Sequence, residues 1–340
     1  MREVTMIGID LAKRSFHLHG ARADGSVAFR VKVSREKVLD FLASQPRCAV
    51  AMEACASAHY WGREIVRMGH EVKLVPPIYV KPFVKRQKND VADAEAICEA
   101  AQRPTMRFVV VKTEEQQARG MLFRTRDLLV RQRTQTINAL RGHLAEYGVI
   151  APQGPAHIGR LARAVEDPDS GLPEPVRELG GLLLAQIAEL EVKIAGLDED
   201  LNASARQDEE AARLMTIPGI GPVTAMALQA FAPPMEGFQR GRDFSAWLGL
   251  VPLQHTTGGK LRLGKTSKMG QRDLRRLLIT GAMTVVRWAA RRGVTTDPWL
   301  ARMLARKPRM LIAVALANRM ARIVWALMTK KKNYRVPAAA

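Results

Sequence analysis

Val4-Thr-Met-Ile-Gly-Ile-Asp-Leu-Ala-Lys13 is a strand-like apolar run interrupted by one acid, Asp10, set between Ile9 and Leu11. A carboxylate is costly to bury unpaired, so an acid in such a run calls for a partner or a cation. Outward from it, residues 16–21 continue after the polar break Lys13-Arg-Ser15, and residues 27–33 follow Asp24-Gly25-Ser26, a hairpin-type turn signal. A helix capped by Ser34 is expected to about residue 44, then a strand over 48–53, a helix over 59–68 and a strand over 71–76. Residues 90–102 read as a helix and 106–112 as a last strand. Three early strands followed by alternating helix and strand predict a mixed α/β sheet.

Three further acids stand in order behind Asp10. Glu53 ends the apolar run Cys48-Ala-Val-Ala-Met-Glu53, and Asp90 and Asp93 open the helical stretch three residues apart, on one helix face. Two divalent ions about 4 Å apart need several carboxylates from separate elements, and can stabilise both the attacking and the leaving oxygen of a phosphodiester displacement. Each acid also has a plainer reading: Asp90 and Asp93 as helix N-terminal residues, Glu53 as a turn residue.

The charge balance sharpens the choice. The chain carries 53 Lys and Arg against 33 Asp and Glu, a net +20, and residues 240–340 hold 22 of the bases but only 3 of the acids. Such a basic region points to nucleic acid before an anionic membrane surface. Cys48, Cys55 and Cys98 form no paired framework, which fits a reduced setting. No run of about 18 apolar residues and no signal-peptide pattern is present, so a soluble, cytoplasmic, nucleoid-associated protein is expected.

Beyond the sheet, residues 113–148 predict one long helix, with Met121, Leu122, Leu128, Leu129, Ile137 and Leu140 on its apolar side. Residues 149–175 are rich in Pro and Gly and read as a loop or linker. Residues 176–206 repeat leucine and isoleucine near a 3.5-residue period. Two such helices predict either an antiparallel hairpin within the chain or a coiled-coil dimer arm. Next comes Ile217-Pro-Gly-Ile-Gly-Pro-Val-Thr224 before another helix. Gly219 and Gly221 so close to a helix start would let backbone N–H groups reach a phosphate, as in helix–hairpin–helix DNA binders; the alternative is a plain turn. Trp288, Trp299 and Trp325 fall on apolar stretches and are expected in the core rather than as base-stacking platforms. Three domains result: 1–112, 113–207 and 208–335.

The combined motifs resemble the RuvC-like DEDD transposases of bacterial insertion sequences, a group that includes Piv-type DNA invertases and bridge-RNA-guided recombinases. The likeness rests on Gly8-Ile-Asp10-Leu-Ala-Lys13, Met52-Glu53-Ala54 and Asn89-Asp90-Val-Ala-Asp93-Ala94. In the second half it rests on Ile217–Pro222, Phe244-Ser-Ala-Trp-Leu-Gly-Leu-Val-Pro252, Gly258-Gly-Lys-Leu-Arg-Leu-Gly264, Ser267-Lys-Met-Gly270 and Asp273-Leu-Arg-Arg276. The resemblance implies a RuvC/RNase H-like sheet domain, a long helical insert and a mostly helical C-terminal transposase domain. It also implies Asp10, Glu53, Asp90 and Asp93 as magnesium ligands, a dimeric or tetrameric homo-oligomer, donor and target DNA as substrates, and a noncoding guide RNA.

In that family a serine stands before the glycine of a Ser-Gly motif and attacks DNA to form a covalent link. This chain has His255-Thr256-Thr257-Gly258-Gly259, so Thr257 takes the place. A threonine hydroxyl supports the same displacement, although its methyl crowds the approach and stiffens χ1. Thr257 as a mere turn residue, with Thr256 or Ser267 in reserve, is the alternative. Lys260, Arg262, Lys265, Lys268, Arg272, Arg275 and Arg276 surround it and suit phosphate contact. A water-using junction nuclease, a non-catalytic nucleic-acid-binding protein and an actin-like ATPase are competing readings. The last lacks a second phosphate-loop signature.

Overall fold

In the computed structural model, β1 (Val4–Asp10) runs through the middle of a five-stranded sheet. The order is β3 (Val27–Ser34), β2 (Ser15–Arg22), β1, β4 (Ala49–Glu53), β5 (Glu71–Val75). β1 pairs antiparallel with β2 and parallel with β4, and β5 continues parallel to β4. Residues 3–85, 89–293 and 297–335 are described, in two units, 1–117 and 118–340.

Strand alternation decides what each face of the sheet carries. Ile7 and Ile9 of β1 join Phe16, Leu18, Val50 and Met52 in one core, with Val38 and Leu42 of α1 (Val38–Ala43) and Trp61 and Ile65 of α2 (Ala58–Arg67). Met6, Ala21, Ala49 and Ala51 face the other way, where a short α3 (Pro77–Val80) and α4 (Asp90–Ala101) bring Val80, Ile97, Cys98 and Ala101. Ser34 makes no side-chain cap; a 3-10 turn, Arg35–Lys37, precedes α1 instead.

Residues 106–112 do not form the expected strand. Val109 makes a single bridge to Leu74, its N–H donating to the Leu74 carbonyl at 2.7 Å. The chain then leaves the sheet edge for α2, where Val111 packs over Gly62. There His59 Nδ1 accepts from the Lys112 N–H at 3.2 Å and Arg63 donates to the Lys112 carbonyl at 3.0 Å. Side chains thus satisfy the backbone that a ladder would have paired.

In the second unit, α5 (Glu114–Ala145) runs antiparallel to α7 (Glu174–Gln207). Arg126 pairs with Asp198 at 2.5 Å and Arg133 with Glu191 at 3.8 Å, so later residues of one helix meet earlier residues of the other. The long helices therefore pair within the chain. Residues 149–175 are not only a linker, because Ile158–Glu166 forms α6. Its Leu161 and Val165 are buried with Ile137, Leu140 and Ile187, and Val165 sits where a side chain at Gly180 would stand. The proline-rich flanks hid a short amphipathic helix that tertiary burial stabilises.

The remaining core joins α8 (Glu209–Met215), α9 (Pro222–Phe231), α10 (Gly241–Trp247), α11 (Arg272–Arg292), α12 (Pro298–Arg306) and α13 (Arg309–Lys330). Among the described residues α13 alone is long and apolar enough to cross a membrane. Its Ile312, Ala313, Ala317, Ala321 and Val324 are buried in this core. A two-stranded hairpin, β6 (Pro252–Gln254) and β7 (Leu263–Thr266), projects between α10 and α11 in sequence. Trp299 and Trp325 pack partly buried against the core, and Trp325 Nε1 donates to the Met235 and Phe238 carbonyls. Trp288 differs from expectation: it is 57% exposed.

Gly8 sets the spacing of the first unit. A Cβ there would stand 2.4 Å from the Ala94 carbonyl oxygen and 2.7 Å from Cys98 Cβ. Gly8→Ala is expected to lower unfolding stability by about 1–3 kcal/mol through overpacking. The urea midpoint of the first unit's unfolding transition measures it, with an unchanged slope on denaturant.

Candidate active site

Asp10 ends β1 on the same face as Met6 and Gly8, two residues beyond the glycine against which α4 packs. α4 starts at Asp90, and its cap is Asn89, whose side-chain oxygen accepts from the Ala92 N–H at 2.8 Å. The capping duty falls to Asn89, so Asp90 and Asp93 keep their carboxylates free in the first turn. There the positive end of the helix dipole favours acids. One carboxylate oxygen each from Asp10, Asp90 and Asp93 lies within 4.8 Å of the others.

Glu53 stands beside this group. Ile9 pairs with Met52 across the parallel β1–β4 ladder, so Asp10 and Glu53 follow at neighbouring positions, and Glu53 shares the face of Ala49 and Ala51. It lies outside the set of three, yet its charge acts on Asp10. On the other side, β2 places His17 opposite Asp10, with Nε2 3.7 Å from a carboxylate oxygen of Asp90. His17 escaped the sequence reading, because only the β1–β2 register brings it there.

The electrostatics mark the group as unlike an ordinary acid cluster. The Asp10 carboxyl is pushed up to about 6, first by burial and then by Asp93, Asp90 and Glu53, with His17 opposing. Elsewhere on α4 the acid Glu95 is paired with Lys85 at 2.5 Å and Arg30 at 3.0 Å. Among the described residues no lysine or arginine forms an ion pair with Asp10, Asp90 or Asp93. Oxygen ligands converging without a cationic side chain could hold a hard divalent cation.

The other candidate residues lie in the second unit. Thr257 is exposed in the turn between β6 and β7; its carbonyl accepts from the Lys260 N–H at 3.0 Å. Gly258 and Gly259 follow at φ 55° and 76°. Lys260, Arg262 and Lys265 are exposed on the same hairpin, and Lys268 and Arg272 are exposed just after it. Arg275 is half-buried and donates to the Leu248 carbonyl at 2.9 Å, closing the end of α10; burial, then Arg272, lowers its pKa. Arg276 pairs with Asp127 of α5. Gly219 has φ 90°, and a Cβ there would stand 2.8 Å from the Gly281 carbonyl oxygen of α11, whereas Gly221 borders open space before α9.

Comparison with known proteins agrees with this distribution. A model of IS110-type DEDD transposases matches residues 7–149, and one described as "Transposase IS116/IS110/IS902 family" matches residues 211–295. A "Probable family 20 transposase" of Pseudomonas aeruginosa is 46% identical over 98% of this chain and 99% of its own. The transposase for insertion sequence element IS1328 of Yersinia enterocolitica is 43% identical, covering 97% and 98%. That for IS1111A of Coxiella burnetii is 38% identical, covering 99% and 93%. The chain belongs to the IS110/IS116 family of insertion-sequence transposases. Its members are enzymes that cut and rejoin DNA. The first matched region contains all four acids; the second contains Thr257 and the basic hairpin.

The raised Asp10 carboxyl has a defined effect on stability. The folded chain holds this proton at pH values where the unfolded chain has released it. The associated stability is present below the ordinary value of 3.8 and is lost as pH rises to about 6. Without divalent metal at about pH 7.5, Asp10→Asn is therefore expected to melt above wild type, and the gain to shrink towards zero near pH 4. Thermal melts of both proteins across this range measure it.

Proposed function

We propose that this transposase is a magnesium-dependent DNA recombinase in which the Thr257 hydroxyl attacks the scissile phosphate. Asp10, Asp90 and Asp93 are its metal ligands, with Glu53 completing the set from β4. The observation that carries the reading is the convergence of three carboxylates within 4.8 Å, without a lysine or arginine partner among the described residues, in a family that acts on DNA. A magnesium ion bound there would neutralise phosphate charge and favour attack by oxygen.

The chain's own groups do the rest. Thr257 Oγ1 forms a bond to phosphorus and gives up its proton. The bond from phosphorus to the leaving DNA oxygen breaks, and that oxygen takes up a proton. The phosphodiester is conserved as a threonine–DNA link, so a second DNA hydroxyl can reverse the step and join a new strand. Support for Thr257 comes from its place in the family's serine motif and from its exposure. Lys260, Arg262, Lys265, Lys268 and Arg272 are free to neutralise phosphates of donor and target DNA. Arg275 and Arg276 have other engagements and contribute less. Gly221 offers the α9 end to a phosphate more openly than Gly219 does.

The family resemblance extends the proposal to a noncoding guide RNA, a dimeric or tetrameric homo-oligomer and a nucleoid-associated cytoplasmic setting. It also supports three functional regions, 1–112, 113–207 and 208–335. A second reading, favoured by the threonine methyl, keeps the acids but lets water attack, as in a junction-resolving nuclease.

Incubating the protein with its co-expressed RNA, a donor–target DNA pair and magnesium separates these. Thr257→Ala is expected to lower recombinant product at least about a thousandfold and abolish protein-linked DNA, as loss of a nucleophile does. Thr257→Ser retains both, and removing magnesium with a chelator abolishes both. Undiminished strand cutting by Thr257→Ala would favour the water mechanism.

A further inference from the structure

The last two turns of α11 expose Arg287, Trp288, Arg291 and Arg292 together. At 100° per residue these positions, with the exposed Thr284, share one helix face. Arginines at a helix C-terminus have a local reason, since they complement its dipole, and Gly293 closes this helix at φ 66°. An indole does not share that reason. Trp288 is 57% exposed, and the Arg292 guanidinium carbon lies 3.7 Å from its ring centroid. A large apolar ring is left out of the core and held by a stacked planar cation. Three arginines surround it, and among the described residues of these two turns no acid lies on this face.

We infer that Trp288 and its arginines form a binding site for an unpaired DNA strand, with one base stacked on the indole and the adjacent phosphates held by Arg287, Arg291 and Arg292. Charge complementarity selects a polyanion. The aromatic ring selects an unstacked base, because bases within a duplex offer no free face. The family's action on DNA, which exposes unpaired strands whenever a strand is cut and passed on, selects DNA. The inference rests on this chain acting on DNA but not on the roles proposed for the acids or Thr257. Trp288 falls within the second family-matched region, where the hairpin carrying Thr257 also lies.

Binding of fluorescein-labelled oligodeoxythymidylate is measured by anisotropy without magnesium, beside a duplex and an oligouridylate of equal length. Trp288→Ala is expected to weaken oligodeoxythymidylate binding about five- to a hundredfold, the range for loss of one stacked base. Duplex binding should change less than about twofold, and Trp288→Phe should restore most of the loss. The oligonucleotide should quench indole emission in wild type more than in Trp288→Phe. Replacing Arg287 and Arg291 with Gln is expected to weaken both DNA probes and flatten the salt dependence, as loss of phosphate contacts does.

The inference is overturned if Trp288→Ala binds all probes as wild type does, weakens single strand and duplex equally, or loses oligouridylate alone. It is also overturned if that variant keeps its DNA affinity but drops to a smaller species in solution, which would place the indole against a second copy of the chain. The assay contains no magnesium and reads no strand cutting, so failure of the metal-site proposal would not change its outcome.

Discussion

The missing side chain at Gly8 is the constraint on which the candidate site depends. Only a glycine lets the α4 backbone approach β1 so closely, with the Ala94 carbonyl where a Cβ would otherwise stand. From that contact point, two residues along the strand reach Asp10 and four residues back along the helix reach Asp90. The two paths are nearly equal, roughly 6.7 Å by strand rise and roughly 6 Å by helix rise. A helix antiparallel to the strand and anchored over Gly8 must therefore bring Asp90 and Asp93 to Asp10. A larger residue would lift the helix away and spread the acids even if each element stayed intact.

That convergence is held against its own electrostatics. Three carboxylates repel one another, and two of them, Asp10 and Asp93, are half-buried. Among the described residues the helix dipole and His17 offset the repulsion. Glu95 on the same helix, with Lys85 and Arg30, shows how this chain neutralises an acid that it uses structurally. Among the described residues no lysine or arginine pairs with Asp10, Asp90 or Asp93 in the same way. Packing that stabilises the sheet supplies what the acids cost, the usual relation between a stable scaffold and a destabilised site.

Much of this was legible in the chain. The apolar runs of β1 and β4, the helix over α4 and the acids' positions follow from local pattern, and the mixed sheet follows from their order. What failed depended on distant partners. Residues 106–112 have strand-like composition, but after the bridge at Val109 the Lys112 backbone is taken by His59 and Arg63. Residues 158–166 look like linker between prolines until Leu161 and Val165 find the α5–α7 pair. His17 gains its place only from the β1–β2 register, and the exposure of Trp288 only from which face of α11 the core takes. Local patterns fix an element's type; they do not say which long-range contact it will meet.

The second unit shows the same distinction within its motifs. Glycines near a helix start invite a phosphate-binding reading, but Gly219 and Gly281 each stand where the other's backbone leaves no room for a Cβ. Gly249 and Gly270 form a similar joint: a Cβ at Gly270 would overlap the Trp247 carbonyl, and Arg275 ties Leu248 to α11. These residues set the frame. The hairpin that this frame supports carries Lys260, Arg262 and Lys265, and every residue from Gln254 to Lys265 is exposed. A rigid helical core presenting an exposed basic hairpin suits an enzyme that must engage more than one DNA segment, because the loop can adjust to each while its anchors stay fixed. The motif glycines and the exposed cations thus have different physical settings, although they lie side by side in the chain.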